Sequence, residues 1–195
     1  MKAIETEWKG YRFRSRLEAR YAVLFEHLGL NWDYEPQGYE LQDGRRYLPD
    51  FLLRDLGLFI EVKGTNPSEQ TRNLLRDFGL PILLVVKLPE FERPLTGLDG
   101  TLFTFCTSLS GGMHYICEAH IMECVKCQEW VLDLRSDDSR LERDRDLVMP
   151  ADNYSIWEPH CNHGYHADFR TGTAVEAGAE KAKKARFEHG ETPNV

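Results

Sequence analysis

The chain has 195 residues, 42% of them hydrophobic and 29% charged; this balance excludes wholesale disorder and leaves room for one packed domain plus a small appendage. Its formal net charge of −8 argues against binding nucleic acid through a broad basic surface, although a site built from carboxylates is acidic by construction. No apolar run approaches the roughly 20 residues that span a bilayer, and the N-terminus lacks a secretory signal, so we expect a cytoplasmic protein without membrane contact.

The N-terminal part begins with an extended segment followed by a helix. Residues 8–14 alternate enough for a short strand or an extended lead-in. From Ser15 the spacing changes to steps of three and four residues, which predicts a helix that Gly29 stops; its apolar positions are Leu17, Tyr21, Leu24, Phe25 and Leu28. The basic residues before and within this helix fit either a solvated face or a phosphate track.

The following elements are mostly strands. An extended segment is expected over 31–41, punctuated by Pro36 and Gly38. The further predicted elements are a hairpin of strands Tyr47–Leu53 and Leu58–Lys63, a helix Ser68–Phe78, a buried strand Ile82–Val86 and a strand Thr101–Cys106. The order helix, strand, strand, strand, helix, strand predicts an α/β fold with a mixed sheet.

The character of the chain changes near residue 108, where Ser and Gly residues precede a rise in cysteine and histidine density. We therefore expect one domain at 1–107 and a small module at 108–195. A mixed-charge run at 135–146 is expected to be exposed. A final helix at 174–188 carries several basic residues, which fits either a DNA contact or a solvated helix surface.

The predicted strand 58–63 carries two charged side chains on one face. Alternation places Phe59, Glu61 and Lys63 on one side and the apolar residues on the other. A carboxylate and an ammonium in a half-buried strand are costly unless they are paired or bind a metal. A lone Glu-x-Lys is weak, however, because most such pairs are surface salt bridges.

Two further carboxylates can join this pair. The hairpin would bring Asp50 beside Glu61, and two oxygen donors from adjacent strands suit Mg²⁺ or Mn²⁺. The alternative for Asp50 is a solvated acid that follows an edge-strand proline. Glu18 lies at the edge of the helix stripe and could reach the same site, but Ser15 and Glu18 also form a capping box.

These residues together resemble the PD-(D/E)xK nuclease superfamily. The resemblance covers residues 11–90 and rests on the motifs S-R-L-E (15–18), G-L-N-W-D-Y-E-P (29–36), L-P-D-F (48–51), I-E-V-K-G (60–64) and L-P-I-L-L-V-V (80–86). It is nearest to small phage and transposon-type endonucleases and to Holliday-junction resolvase-like members. It implies a restriction-endonuclease-like αβββαβ core with a mixed sheet.

The resemblance also implies a mechanism. Asp50, Glu61 and the backbone carbonyl of Val62 would hold a catalytic Mg²⁺ or Mn²⁺, and Glu18 would contribute directly or through water. Lys63 would orient or help deprotonate the attacking water and stabilise the developing negative charge. This agrees with independent chemistry, since a metal lowers the pKa of bound water and an adjacent ammonium adds electrostatic stabilisation. Related nucleases often use a polar group on the next helix; Gln70 is the candidate, with a surface Gln as the alternative.

Cysteine and histidine spacing predicts a structural zinc site in the C-terminal module. Cys124 and Cys127 form a C-x-x-C, and a second group of ligands follows some thirty residues later. The expected ligands are Cys124, Cys127, Cys161 and His163, with His160 or His166 as substitutes. Cys117 and His120 form another C-x-x-H, so a different set stays open, and Cys106 is expected to be a small buried hydrophobe. The module would resemble a zinc ribbon.

The sequence therefore predicts a metal-dependent endonuclease that hydrolyses phosphodiester bonds, with DNA as the expected substrate and RNA not excluded. A homodimer or a recruiting protein partner is compatible with this. Two other interpretations are a non-catalytic nucleic-acid-binding or assembly module that keeps the fold, and an ordinary α/β protein that carries the motif by accident. In the last case Glu61 and Lys63 form a salt bridge and Glu18 is only a cap.

Overall fold

The computed structural model describes residues 3–65, 67–88, 102–107, 114–124, 130–136, 154–157, 169–170 and 173–187, with side chains described in 3–65, 67–88 and 175–187. The described part confirms the predicted α/β class with a mixed sheet. None of the helices it contains is long and apolar enough to cross a membrane.

The chain begins with a β-hairpin of two short strands, β1 (Thr6–Trp8) and β2 (Tyr11–Phe13). Lys9 and Gly10 connect them with φ angles of 49° and 80°. Two central residues with positive φ are typical of the two-residue turns that match strand twist. Residues 8–14, predicted as one strand or an extended lead-in, thus contain the turn and second strand of a hairpin.

Helix α1 (Arg16–His27) begins where the sequence predicts. Ser15 is its N-cap, in extended conformation, and its Oγ accepts a hydrogen bond of 3.2 Å from the N–H of Glu18. The helix ends at Leu28, and Gly29 follows with φ 66° in the left-handed region that glycine adopts without strain. The predicted stop at Gly29 is confirmed.

One large sheet contains most of the remaining strands. The remaining described strands are β3 (Trp32–Tyr34), β4 (Tyr39–Glu40), β5 (Arg46–Tyr47), β6 (Phe51–Leu53), β7 (Leu58–Val62), β8 (Ile82–Val85), β9 (Leu102–Thr107), β10 (His114–Cys124), β11 (Trp130–Ser136), β12 (Tyr154–Trp157) and β13 (Phe169–Arg170). All of them except β4 and β5 belong to the large sheet. The main sheet has the order β12-β11-β10-β9-β8-β7-β6-β3, and β13 pairs with β10. Its β7–β8 pairing is parallel and its other described pairings are antiparallel.

The predicted hairpin around residue 55 is present but shorter than expected. Strands β6 and β7 pair with Phe51 opposite Ile60, and a 3₁₀ turn at Arg54–Leu56 joins them. The predicted strand Tyr47–Leu53 is divided, because Tyr47 belongs to β5 and pairs with Tyr39 in a separate two-stranded sheet. Pro49 lies between β5 and β6, where its missing N–H interrupts a strand least.

Two helices cover opposite faces of the sheet. On β7, Leu58 and Ile60 belong to the core cluster that contains the buried residues of α1, whereas Phe59 packs with Leu75 and Phe78 of helix α2 (Glu69–Phe78). The predicted alternation along this strand is therefore confirmed. The helix predicted over Ser68–Phe78 is present, with Ser68 as its N-cap, whose Oγ accepts from the N–H of Thr71 at 3.2 Å. The helix makes the crossover between the parallel strands β7 and β8.

The main sheet continues beyond residue 107. Strand β9 pairs with β8, and β10 then pairs with β9 across Cys106 and Tyr115. Strands on both sides of the expected boundary at 107/108 thus share one sheet. The division into domains 1–107 and 108–195 stays a prediction. Of the mixed-charge run at 135–146, Arg135 and Ser136 end β11, and the rest lies outside the described residues.

Helix α3 (Thr173–Lys184) packs against α1 through small side chains. A Cβ built on Gly178 would lie 2.8 Å from Leu24 Cδ1 and 2.9 Å from His27 Cδ2, so the two helices approach closely there. Its buried positions are Val175, Gly178, Ala179 and Ala182, and the following Ala185 is also buried. The basic residues of this helix, predicted either to contact DNA or to be solvated, include the exposed Lys183 and Lys184.

Candidate metal and catalytic site

The region around Glu18, Asp50 and Glu61 differs from the rest of the described chain because it contains three buried carboxylates. Glu18, Asp50 and Glu61 are 6%, 3% and 5% exposed, and they are the only charged residues classed as buried among those described. A carboxylate withdrawn from water is destabilising unless donors or cations surround it. The residues around each of the three therefore reveal how the chain stabilises them.

Asp50 immediately precedes β6, and each of its oxygens has a donor. Its Oδ2 accepts a hydrogen bond of 2.7 Å from the backbone N–H of Val62, and its Oδ1 lies 2.6 Å from Nη2 of Arg14. Burial raises the pKa of Asp50 to about 7, with the charge of Glu61 adding to the increase, while the Val62 N–H and Lys63 lower it. The alternative of a solvated acid after an edge proline is therefore wrong.

Glu61 lies on β7 on the face that α2 covers. Its Oε2 accepts a hydrogen bond of 2.6 Å from the hydroxyl of Tyr47, and its Oε1 forms an ion pair with Nζ of Lys63. Burial and the nearby Glu61 charge raise the pKa of Tyr47 well above its usual value, so that its hydroxyl stays a donor. Lys63 follows the last residue of β7, and its side chain is 37% exposed, so its ammonium can meet a ligand from solvent.

Glu18 combines its cap position with contacts from two other elements. Its Oε1 accepts from Ser15 Oγ at 2.7 Å, and its Oε2 accepts from Tyr34 Oη at 2.7 Å and from the backbone N–H of Arg14 at 3.0 Å. The carboxylate thus bonds to the segment before the helix, but through the N–H of Arg14 and the hydroxyl of Ser15, whereas a capping box uses the N–H of the cap residue Ser15. Both of its oxygens have donors in this arrangement.

The three carboxylates do not form one compact cluster. Glu18 comes from α1, on one face of the sheet, and Glu61 points to the opposite face, whereas Asp50 immediately precedes β6. Both charges nevertheless reach Asp50, since each raises its pKa. In the described residues no group of three or more His, Cys, Asp and Glu side chains is placed to hold a metal. Asp50 and Glu61 are therefore the candidate pair, with Glu18 further out.

The backbone carbonyl of Val62 faces a gap in the hydrogen-bond ladder. The N–H groups of Phe59 and Lys63 bond to strand β8, so the backbone groups of Val62 point the other way, where its N–H binds Asp50. Continuing the register of β6 and β7 puts Pro49 opposite Val62. Since proline has no N–H, this position supplies no ladder donor to the Val62 carbonyl.

Three residues of the site were missed by sequence reasoning. Arg14 binds Asp50, Tyr34 binds Glu18 and Tyr47 binds Glu61. Their contacts span 36, 16 and 14 positions of the chain, so spacing within one element does not signal them. The one available signal was the aromatic and basic composition of the strands that flank the motifs.

The other predicted site residues are less informative. Gln70 is exposed on α2, and within the described part of the chain no contact supports an accessory role for it. Cys124 ends strand β10, whereas Cys127, His160, Cys161, His163 and His166 lie outside the described residues. Cys117 and His120 both lie within β10, whose side chains are outside the described part of the structure, so this alternative pair stays open.

Tyr47→Phe tests whether the buried hydroxyl supports Glu61. We expect the free energy of unfolding in urea to fall by about 1–3 kcal/mol, because a buried carboxylate loses one of its donors. Tyr39→Phe is the matched control, since Tyr39 packs on the same cluster without contacting a carboxylate. Equal stability of the two variants would contradict the prediction.

The pH dependence of stability tests the environment of Asp50. An aspartate has a pKa near 3.9 in an unfolded chain, and Asp50 titrates at about 7 in the folded protein. The contribution of Asp50 to the free energy of unfolding is therefore fully present below a pH of about 4. This contribution, at most about 4 kcal/mol, is lost as the pH rises through about 7. Denaturant titrations in chelator at several pH values should reveal this loss in the wild type and its absence in Asp50→Asn. Parallel curves for the two proteins would refute it.

Comparisons of this chain with protein-family models, with curated proteins and with solved structures found no significant match.

Proposed function

We propose that this chain is a divalent-metal-dependent nuclease of the PD-(D/E)xK type, acting on phosphodiester bonds in DNA. One observation carries the proposal: in the described part of the chain, burial of charge is confined to the three carboxylates that the sequence motifs single out. Lys63 lies beside them with a partly exposed ammonium. A chance motif gives no reason for this selective burial.

The donor set fits Mg²⁺ or Mn²⁺. Carboxylate oxygens from Asp50 and Glu61, with the carbonyl of Val62 opposite a proline, provide the hard oxygen ligands that these ions prefer. In their present arrangement, Arg14 and Lys63 supply the compensating positive charge. A bound ion would polarise the phosphoryl oxygen and lower the pKa of its bound water.

The chain's own residues have separate tasks in this proposal. Asp50, fixed by the Val62 N–H, and Glu61, fixed by Tyr47, would hold the ion. Lys63 donates to the negative charge that develops on the phosphate, where a positioned cation is most effective. Glu18 acts at a distance by organising the Arg14 backbone and the Tyr34 hydroxyl.

Two contacts agree equally well with an accidental motif. Lys63 and Glu61 form an ion pair, and Glu18 bonds to the cap residue Ser15. An exposed pair and a solvated cap would need no further explanation. Here both glutamates are buried and a third acid is buried between them, which is why we prefer the nuclease.

The test is incubation of the purified protein with linear, circular, branched and single-stranded DNA and with RNA, in the presence of Mg²⁺ or Mn²⁺. Cleavage that stops in chelator and returns with added Mg²⁺ would support the proposal, because restoration excludes damage through loss of zinc. Binding of DNA without cleavage of any substrate would favour the non-catalytic alternative. Size-exclusion chromatography of the same preparations would test whether the chain forms a homodimer.

We also propose a structural zinc bound by Cys124, Cys127, Cys161 and His163, with His160 or His166 as substitutes, in a zinc-ribbon-like module. In support, β13 pairs with β10 with Phe169 opposite Cys124, so the strand that follows the second ligand group in sequence adjoins the strand that ends at Cys124. Metal analysis should find one zinc per chain in the wild type and in Cys117→Ser, and none in Cys124→Ser. Full zinc content in Cys124→Ser would refute this ligand set.

A further inference from the structure

The guanidinium of Arg14 extends from solvent to a buried carboxylate. Its side chain is 54% exposed, whereas the Asp50 side chain that it contacts is 4% exposed. Nη2 lies 2.6 Å from Asp50 Oδ1, and Nε lies 2.8 Å from Glu35 Oε1. Because the Val62 N–H already binds the other oxygen of Asp50, Arg14 covers the oxygen that is left.

The backbone of Arg14 is held firmly while its side chain lies near solvent. Its N–H donates to Glu18 Oε2 and to Tyr34 Oη, both at 3.0 Å. The partner Glu35 has a φ of 47°, unusual for a residue with a side chain, and its N–H donates to the Asp50 carbonyl at 2.9 Å. The chain thus maintains an uncommon conformation at the residue that pairs with Arg14.

A guanidinium and a divalent cation compete for the same carboxylate oxygen. Their charges would repel each other at contact distance, and a cation bound by Asp50 would need the outer oxygen that Arg14 contacts. If a metal ion displaced the Arg14 side chain from Asp50, the hydrogen bonds of the Arg14 backbone would keep this residue at the site. Its planar set of five donors matches the oxygens of a phosphate better than any other side chain.

We propose that Arg14 exchanges partners: it neutralises Asp50 in the metal-free protein, and it binds the substrate phosphate when a divalent ion occupies Asp50. This inference rests on the proposed nuclease function. It assigns Arg14 a positioning role toward Asp50 in one state and a phosphate-binding role in the other. Replacement of Arg14 is therefore expected to strengthen Mn²⁺ binding and to weaken DNA binding.

The experiment measures Mn²⁺ binding and DNA binding separately. Calorimetric titration with Mn²⁺ alone identifies the binding that Asp50→Asn abolishes, and Arg14→Gln should strengthen that binding about fivefold by removing the competing cation. In a Lys63→Ala background, which slows turnover about a hundredfold, Arg14→Gln should weaken the binding of a short labelled DNA in Mn²⁺ about tenfold. Arg14→Lys should keep the Mn²⁺ affinity near that of the wild type but weaken DNA binding.

Arg12→Gln is the matched control, because Arg12 lies on the same hairpin and pairs with the exposed Glu5. It should change neither affinity beyond about twofold. Weaker Mn²⁺ binding in Arg14→Gln would mean that Arg14 merely supports Asp50, and it would overturn the inference, as would unchanged DNA binding. Cleavage by the wild-type protein tests the proposed function independently. If the protein does not cleave DNA but Arg14→Gln strengthens Mn²⁺ binding and weakens DNA binding, the proposed exchange stands and the nuclease function fails. If the protein cleaves DNA but Arg14→Gln does not change the two affinities in this way, the exchange fails and the nuclease function stands.

Discussion

Asp50→Asn and Glu61→Gln are each expected to reduce metal-dependent cleavage of DNA at least about 10³-fold. Each substitution keeps the size of the side chain but removes a negative oxygen from the pair that would hold the ion. A metal supplies several kcal/mol of transition-state stabilisation, and each 1.36 kcal/mol corresponds to a factor of ten in rate. Lys63→Ala should lower kcat by about 10²-fold, since one cationic donor is lost. Initial rates at saturating Mg²⁺ measure all three effects.

Asp33→Asn is the matched control for these variants. Asp33 is also an aspartate on the main sheet, in β3, but its carboxylate pairs with the exposed Arg54. We expect its cleavage rate to match that of the wild type. Chelator-sensitive cleavage that persists in Asp50→Asn would place the active site elsewhere in the chain. Urea unfolding of each variant separates loss of chemistry from loss of folding.

Phe51→Ala is expected to lower the free energy of unfolding by about 3–5 kcal/mol, the usual effect of truncating a fully buried aromatic residue. Phe51 has no exposed surface, and its ring lies 5.4 Å from that of Phe25, 5.3 Å from that of Tyr34 and 5.8 Å from that of Trp32. It thereby joins α1 and β3 to the strand that begins next to Asp50. Removing the ring leaves a cavity between these elements.

Leu52→Ala provides the control from the same strand. Leu52 is only partly buried and packs on the opposite cluster, so we expect a loss of about 1–2 kcal/mol. Urea titrations at constant pH measure both variants. Equal losses of stability in Phe51→Ala and Leu52→Ala would contradict the view that the cluster around Phe51 contributes more to stability than the cluster on which Leu52 packs. We also expect weaker cleavage in Phe51→Ala, because Tyr34 would orient Glu18 less well.

The helices were the most predictable part of the fold. Helices α1 and α2 begin at the serines where the sequence predicted their starts, and Ser15 and Ser68 cap them. A cap is a local hydrogen bond between residues three positions apart. The hairpin at the N-terminus and the division of the strand around Pro49 were less predictable. They depend on a positive φ at Lys9 and on the pairing of Tyr47 with Tyr39, neither of which has a strong local signal.

The candidate site was predictable in its carboxylates but not in the residues that stabilise them. Strand alternation correctly put Glu61 on the face of Phe59, and the motif pattern singled out Asp50 before its burial was known. Arg14 and Tyr47 came from other elements. Their roles follow from which side chains the fold brings to a buried charge, and a single sequence does not contain that information in any local spacing.

The sequence by itself determined which acidic residues belong to the candidate site, namely Glu18, Asp50 and Glu61. It also indicated the chemistry that these acids can perform beside Lys63. Only the tertiary structure decided that Asp50 is buried rather than solvated, that Glu61 and Glu18 approach it from opposite faces, and that Arg14 occupies its outer oxygen. The physical reason is that period and propensity act over a few residues. The environment of a charge depends instead on the elements that happen to surround it, and those elements are joined only when the chain folds.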